Sequence, residues 1–310
     1  MKPTYSIIAP VFNEKECLDV LYTRVSEVMD RSGEPWELIL IDDGSSDGST
    51  EIMRGFSEKD PRVRCIFFAR NFGHQIAVTA GMDHALGDAA VVIDADLQDP
   101  PEVILELIAK WKEGYEVVYA VRKQRDGESL FKKWTASAFY RLIDKIADVR
   151  IPLDTGDFRL YDRKVIDVMK AMPEKHRFLR GMSSWVGFKQ IGVEYHREER
   201  YAGQTHYPLK KMLKLALTAI TGFSTVPLQM SYWLGAISAV LGVIICIINL
   251  ITKGGNGDIA AIFFVGGVIL LILGIIGEYM GRIYDEVRNR PLYITREITQ
   301  SVYDKTEDNQ

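Results

Sequence analysis

Two apolar segments toward the C-terminal end of the chain predict a pair of membrane-spanning helices. Residues 228–252 and 259–283 are each long enough to cross about 30 Å of hydrocarbon as a helix. Neither segment has a polar face, which argues against the alternative of two buried helices in a soluble core. The link between them reads KGGNGD at 253–258 and is short, so we expect the two helices to form a hairpin.

The sequence around this hairpin predicts its orientation. Basic side chains flank it on the side opposite the link, namely Lys210, Lys211, Lys214, Arg282, Arg288 and Arg290. The positive-inside rule then places residues 1–227 and both termini in the cytoplasm, with the hairpin in the plasma membrane. Apolar and lysine positions at helical spacing predict an amphipathic interfacial helix at 206–227, with a surface helix of the soluble domain as the alternative. Residues 284–310 are expected to form a cytoplasmic helix and tail.

The first 205 residues alternate between short apolar runs and amphipathic stretches, which is typical of an α/β domain. Predicted strands begin near residues 4, 36, 63, 89 and 116, and helices fill most of the intervals. This alternation implies a mainly parallel sheet wrapped by helices. Ligands of such sheets bind at the carboxyl ends of the strands, so we expect the functional residues in the loops at those ends.

Composition and charge exclude several classes of protein. The mean hydropathy of −0.03 looks like that of a soluble protein only because it averages the apolar segments with a charged domain. The net charge of −4 argues against a nucleic-acid-binding protein. The 3 scattered cysteines exclude a disulfide scaffold and a cysteine zinc site.

Acidic side chains follow two of the predicted strands. Asp94 and Asp96 stand two apart in a loop and can converge on one Mg²⁺ or Mn²⁺, with Gln98 offering an amide oxygen and a diphosphate completing the shell. Asp42 and Asp43 end an earlier strand, where one carboxylate is suited to a hydrogen bond with a nucleobase or ribose. An ordinary helix-capping turn is the alternative at that position.

Three further features have two interpretations each. The acidic loop DTGDFR at 154–159 is either a second part of an active site or an Asx-type turn. The basic stretch at 197–214 suits an anionic lipid head group, although flanking of the membrane segment also explains its lysines. The histidines, His74 among them, lack metal-ligand spacing, and we expect them on the surface or in the core.

Together these motifs resemble those of family 2 glycosyltransferases with a GT-A fold. The likeness is closest to the polyprenyl-phosphate branch, which includes bactoprenol glucosyltransferases and dolichol-phosphate mannose synthases, and it covers nearly the whole chain. The paired apolar segments fit the bactoprenol type. The matching segments are APVFNE at 9–14, IDDGSSDGS at 41–49, DADLQDPPE at 94–102, DTGDFRL at 154–160 and RYAGQTHYPLKKM at 200–212.

This resemblance implies a role for each matched residue. The uridine part of a donor would bind to Pro10, Glu14 and Asp43. The metal and the diphosphate would bind to Asp94, Asp96 and Gln98, while Asp157 matches the acid usually assigned to catalysis. The phosphate of a lipid acceptor would contact Arg122, Lys132 and Arg200.

The implied reaction moves glucose from UDP-glucose to a membrane polyprenyl phosphate, such as undecaprenyl phosphate, in a single inverting displacement. Other donors, such as GDP-mannose or a UDP-aminoarabinose derivative, stay open because no residue pattern reads the sugar hydroxyls. A catalytically inactive membrane partner subunit is an alternative of a different class, and intact Asp94, Asp96 and Asp157 argue against it. Glycines in the apolar segments permit close helix contacts, so we expect a homo-oligomer.

Overall fold

The structure, a computed structural model, describes residues 2–123, 155–198, 226–252 and 257–304. In this part of the chain a single sheet has eight strands, in the order β7-β5-β6-β4-β1-β2-β3-β8 across the sheet. Along the chain they are β1 (Tyr5–Val11), β2 (Trp36–Asp42), β3 (Val63–Phe68), β4 (Ala89–Val92), β5 (Val117–Arg122), β6 (Thr155–Asp162), β7 (Gln190–Tyr195) and β8 (Thr295–Ile298).

Helices pack on both faces of the sheet. They are α1 (Lys15–Asp30), α2 (Ser49–Lys59), α3 (His74–His84), α4 (Ile104–Lys112), α5 (Arg163–Ala171) and α6 (Leu179–Trp185). Leu18, Leu21 and Val25 recur at helical spacing and bury one side of α1 in the first core. Val78 and Val165 lie in a second core, on α3 and α5. The α/β class predicted from the alternating pattern is confirmed.

The strand directions bring several loops to one edge of the sheet. Neighbouring strands β4, β1, β2 and β3 run parallel, so their carboxyl ends lie together. Strand β6 runs antiparallel to β4, with Val92 opposite Arg159, so β6 begins where β4 ends. The loop that carries Asp94 and Asp96 therefore lies beside the first residues of β6, which include Asp157.

The apolar segments form two long helices, α7 (Val226–Thr252) and α8 (Gly257–Arg288). Both are long and apolar enough to cross a membrane. Only 11% of the most apolar stretch of α7, and 0% of that of α8, is buried within the structure. A core helix of a soluble protein would be mostly buried, so this pair resembles a membrane hairpin more than a second core.

The prediction of a helix and tail at 284–310 is wrong beyond Arg288. Helix α8 ends there, and the chain returns to the sheet, where β8 pairs antiparallel with β3. Two hydrogen bonds from Arg54 to Glu297, of 2.8 and 2.6 Å, hold the strand. The edge of β3 carries backbone N–H and C=O groups that can pair with a further strand. This pairing stabilises residues 295–298 as a strand more than their local helical propensity would stabilise a helix. Apart from its last two residues, the predicted interfacial helix at 206–227 lies outside the described residues.

Candidate active site

The loop after β4 carries the predicted metal ligands in a fixed conformation. Leu97 has φ of 58°, a left-handed value that is uncommon for a residue other than glycine and recurs at functional sites. The backbone N–H of Gln98 donates to Asp96 Oδ1 at 3.1 Å, and the carbonyl of Gln98 accepts from the N–H of Glu198 at 2.9 Å. Gln98 is thus held through its main chain, next to a buried Asp96 and a half-buried Asp94.

Asp157, near the start of β6, is bound by residues of two helices. Its Oδ1 accepts from Arg180 Nε at 2.7 Å, and its Oδ2 accepts from Gln75 Nε2 at 2.9 Å. His74 Nε2 lies 3.1 Å from the same Oδ2. Gln75 also accepts the backbone N–H of Leu179 at Oε1, at 3.0 Å, and so connects the start of α3 to the start of α6. Asp157 is only 8% exposed.

The charges in this network oppose the effect of burial. Burial would raise the pKa of Asp157, but the charges of Arg180 and His74 hold it well below its usual range. Burial would lower the pKa of His74, but its hydrogen bond to Asp157 and the charge of Asp94, 3.6 Å away, raise that pKa to about 9. Asp157 is therefore anionic and His74 cationic at neutral pH. The expectation that His74 is an ordinary surface or core histidine is wrong.

A second polar cluster lies against the same part of β6. Asp99 is fully buried and accepts a hydrogen bond from the hydroxyl of Tyr195, which in turn accepts from Arg122 Nε at 3.3 Å. Burial raises the pKa of Asp99. A Cβ on Gly156 would lie 2.8 Å from Nη2 of Arg122, so a larger residue at this position would displace the guanidinium. Arg122 thus lies beside Gly156, the residue before Asp157. Its role as a ligand of the lipid phosphate, which the family resemblance implies, stays a prediction.

The two carboxylates after β2 are engaged by the protein itself. Asp42 accepts from the N–H of Ser45 at 2.8 Å and from Thr50 Oγ1 at 2.5 Å, so it ties the turn and the first part of α2 to the end of β2. The residue at the N-cap of α2 is Gly48, so the helix-capping alternative does not describe these bonds. Asp43 accepts from the N–H groups of Phe72 and Gly73 at 2.6 and 2.9 Å. Each carboxylate retains further lone pairs, so a contact with the nucleobase or ribose of a bound nucleotide stays a prediction for both.

The remaining predicted donor residues lie at the end of β1. Pro10 is buried within the strand opposite Ile41, and Glu14 is half-buried at the start of α1. Between them, Asn13 has φ of 57° and accepts the N–H of Ser46 at Oδ1, at 2.8 Å. The loops after β1 and β2 are therefore connected and form one side of the same sheet edge. Lys132 and Arg200 lie outside the described residues.

Comparisons with known proteins agree with this arrangement. The family model described as Glycosyl transferase family 2 matches residues 6–169, more than half of the chain. This chain belongs to glycosyl transferase family 2. A second model, described as GtrB C-terminal hairpin, matches residues 226–283 and thus covers most of α7 and α8.

Several relatives match this glycosyltransferase over nearly its whole length. The SfII prophage-derived bactoprenol glucosyl transferase of Shigella flexneri is 42% identical over 94% of this chain and 97% of its own. The prophage bactoprenol glucosyl transferase homolog of Escherichia coli K12 is 40% identical over 94% of this chain and 98% of its own. Glycosyltransferase YkcC of Bacillus subtilis is 56% identical over 94% and 93%. The predicted family and GT-A fold are confirmed.

A solved structure that contains bound ligands shows a weaker likeness. Glucosyl-3-phosphoglycerate synthase of Mycobacterium tuberculosis, crystallised with Mn²⁺, UDP-glucose and phosphoglyceric acid, has a TM-score of 0.45 and 18% identity. The match covers 70% of this chain and 77% of the synthase.

The acids of the β4 loop fit a divalent cation that is shared with a ligand. Burial raises the pKa of Asp94 to about 6; the charge of His74 opposes this rise, and the charges of Asp99 and Asp157 add to it. A cation would relieve that excess of negative charge. Within the described ranges, no three His, Cys, Asp or Glu side chains converge to enclose an ion. A cation here would bind to the carboxylates of Asp94 and Asp96, with Gln98 beside them, and oxygens of a bound ligand would be further ligands.

The residues missed by sequence reasoning are those that reach the site from a distance along the chain. They are His74, Gln75, Arg180 and Tyr195. One local signal was available for the first pair, because RNFGHQ at 70–75 joins the end of β3 to a helix at the ligand-binding edge. Arg180 offers no such signal, since only the packing of α6 against α3 and β6 brings it to Asp157.

Proposed function

We propose that this glycosyltransferase transfers glucose from UDP-glucose to the phosphate of a membrane polyprenol, with inversion at the anomeric carbon. The relatives named as bactoprenol glucosyl transferases support glucose as the sugar and bactoprenol as the lipid. The carboxylate-and-cation cluster supports the chemistry, and α7 and α8 support a substrate at a membrane. The product would be a lipid-linked glucose, which can serve as a donor for envelope glycosylation.

The observation that carries this proposal is the juxtaposition of opposite charges at one sheet edge. Asp94, in the loop after β4, lies 3.6 Å from His74. His74 and Arg180 both contact Asp157, at 3.1 and 2.7 Å. A displacement at the anomeric carbon with a phosphate nucleophile and a diphosphate leaving group brings several negative oxygens together. Positive charge is needed where these oxygens lie. Two protein cations and a bound metal would provide it, while the protein's carboxylates hold those cations in place.

The bond changes require little acid–base catalysis. An oxygen of the lipid phosphate forms a bond to the anomeric carbon, and the bond from that carbon to the diphosphate breaks with its electron pair leaving on UDP. A phosphate monoester has a second pKa near 6, so its oxygen is already ionised at neutral pH. Asp157, with its pKa held well below the usual range, is a poor proton acceptor. We assign it the task of fixing the positions of His74 and Arg180.

The donor would be held by the loops after β1, β2 and β4. Asp94 and Asp96, with Gln98 beside them, would hold Mg²⁺ or Mn²⁺. The bound metal would stabilise negative charge on the leaving diphosphate. The uridine part would lie along Pro10, Glu14 and the pair Asp42 and Asp43. In this arrangement the protein orients the sugar toward Asp157.

The acceptor would approach from the membrane. Arg122, which lies beside Gly156, would contact the lipid phosphate together with Lys132 and Arg200. Helices α7 and α8 would span the plasma membrane, with the α/β domain and both termini in the cytoplasm and 206–227 at the interface. The glycines of the hairpin would permit close helix contacts between copies of the chain in a homo-oligomer.

A donor panel tests the proposal. Purified full-length enzyme in bilayers would receive radiolabelled UDP-glucose, GDP-mannose or a UDP-aminoarabinose derivative with undecaprenyl phosphate, and label in the lipid phase would be counted. We expect label from UDP-glucose alone, and loss of it in Asp94→Asn but not in Asp88→Asn, an exposed control. Transfer from another donor would overturn the sugar assignment, and no transfer to lipid from any donor would overturn the function.

A further inference from the structure

The C-terminal end of α8 lies against the loop that precedes α6. The carboxylate of Glu286 accepts the backbone N–H of Lys175 at 2.7 Å, and Lys175 Nζ donates to Asn289 Oδ1 at 2.8 Å. His176 Nε2 lies 3.3 Å from Asp285 Oδ2. Two consecutive residues of the loop are thus bound by the last turn of the helix that belongs to the membrane hairpin.

The same loop is fixed on its other side to the α/β domain. The buried guanidinium of Arg177 donates to the carbonyls of Met169 and Met172, at 2.9 and 2.7 Å. The loop therefore has only a short stretch of chain between its contact with α8 and its contact with α5. If either contact shifts, few residues lie between it and α6 to absorb the shift.

The residues that follow this loop belong to the active site. Leu179 donates its N–H to Gln75, and Arg180 donates to Asp157, so the first two residues of α6 make both connections. Only five positions separate Lys175 from Arg180. Arg159 adds a further restraint, since its Nη1 donates to Ser183 Oγ at 2.9 Å and ties β6 to α6.

The chain after α8 holds the end of this helix in place. Tyr293 stacks on Phe68 at 5.1 Å and donates to Asp83 Oδ2 at 3.0 Å. Two residues later β8 joins β3. The end of α8 is therefore attached to the domain both by the sheet and by the 172–178 loop, and it is not a free tether.

We propose that Glu286 is a positioning residue for glucosyl transfer, acting through Lys175 and the 172–178 loop on the Arg180–Asp157 pair. The end of α8 thereby links the seating of the hairpin to the geometry of the active site. This inference rests on the proposed function only in naming glucose as the transferred group. The mechanical link between α8 and α6 stands on the contacts alone.

Kinetics in bilayers provide the first test. We expect Glu286→Ala to lower kcat about 5- to 10-fold, the loss that corresponds to one hydrogen bond of ordinary strength, while KM for UDP-glucose changes less than about 2-fold. Glu286→Gln keeps an acceptor oxygen and should regain at least half of the activity. Glu27→Ala, an exposed glutamate on α1, is the matched control. A rise in KM with kcat unchanged, or no recovery in Glu286→Gln, would overturn the proposal.

Hydrogen exchange provides a readout that does not depend on the sugar. Amides of residues 175–182 should exchange about tenfold faster in Glu286→Ala than in wild type or Glu27→Ala, while amides of β1 stay unchanged. Unchanged exchange in 175–182 would overturn the positioning role even if glucose transfer is confirmed. If wild type transfers no glucose, the proposed function fails, and this exchange result still decides the inference.

A second variant serves if Glu286→Ala loses UDP binding. Lys175→Ala removes only the bond from Lys175 Nζ to Asn289 and should still lower kcat. An unchanged kcat in Lys175→Ala would count against the positioning role.

Discussion

Replacing Asp157 with asparagine tests how the active site is held together. The change keeps the size of the side chain but removes its charge. Asp157 accepts from Arg180 at 2.7 Å, from Gln75 at 2.9 Å and faces His74 at 3.1 Å, all of which approach as donors. An amide has one acceptor oxygen, so its NH₂ group must face at least one of these donors. Two cations would then lie in the site without their shared counter-ion.

The size of the effect follows from the contact with Arg180. Two unit charges about 4 Å apart interact by roughly 4 kcal/mol at an effective dielectric constant near 20. The Arg180 side chain is 26% exposed, so solvent screens part of this attraction. A loss of about 2 to 3 kcal/mol remains, which corresponds to roughly a 30- to 150-fold lower kcat. UDP binding should stay within about threefold, because the uridine side of the site is untouched.

A double-mutant cycle with Arg180→Gln refines this test. If Asp157 acts by holding Arg180, the double variant should lie within about threefold of the slower single variant. Turnover would be measured with saturating UDP-glucose and undecaprenyl phosphate in nanodiscs, with UDP binding measured by calorimetry on the same samples. Near-normal turnover of Asp157→Asn with intact UDP binding would refute the role of Asp157. Fully multiplicative losses in the double variant would refute the coupling between the two residues.

Three further outcomes are expected. Chelation with EDTA should abolish transfer and Mg²⁺ or Mn²⁺ should restore it, with Asp96→Asn needing about tenfold more cation; activity unaffected by EDTA would contradict the metal role. Arg122→Ala should raise KM for undecaprenyl phosphate about tenfold and Arg122→Lys less, because a charge-assisted bond to phosphate is lost; a change confined to the KM for UDP-glucose would place Arg122 elsewhere. Replacing 226–288 by a Gly-Ser linker keeps β8, so UDP binding should persist while transfer in bilayers falls at least about tenfold; equal transfer would show that the hairpin is dispensable.

Much of the site follows from local sequence because parallel strands end at a common edge. Asp94 and Asp96 follow an apolar strand directly, and the antiparallel β6 brings Asp157 beside them. The types of residue and their places after strands were sufficient to predict Asp94 and Asp96 at this edge, but they left the loop at 154–159 open between an active-site loop and a turn. The burial of Asp42 and its bonds to Ser45 and Thr50 could not be read from sequence, since a bond within the turn and a bond to a ligand use the same carboxylate.

The partners of Asp157 were not predictable from spacing. His74 is 83 positions away from it and Arg180 is 23 positions away. Both reach it only when α3 and α6 pack on the same face of the sheet, in the second core. Periodicity predicts that such helices exist and which side is apolar, but not which neighbour each helix end will meet.

The C-terminal strand shows the same limit at the scale of the fold. Residues 284–310 look locally like a helix with a polar tail, and α8 does continue to Arg288. Pairing of β8 with β3 depends on an edge built from residues near the N-terminus, more than 200 positions earlier. A long-range ladder of this kind overrides a weak local preference. It also means that deleting everything after residue 227 would damage the domain as well as remove the hairpin.

Analysis of the reaction product tests the proposed chemistry most directly. Full-length enzyme in bilayers would be given UDP-α-glucose and undecaprenyl phosphate, and the lipid product would be characterised by mass spectrometry and by ¹H and ³¹P NMR. Direct displacement by the phosphate oxygen predicts a single phosphodiester that carries β-linked glucose, with UDP released. A diphosphate-linked sugar, an α-linked product or the release of UMP would contradict the mechanism.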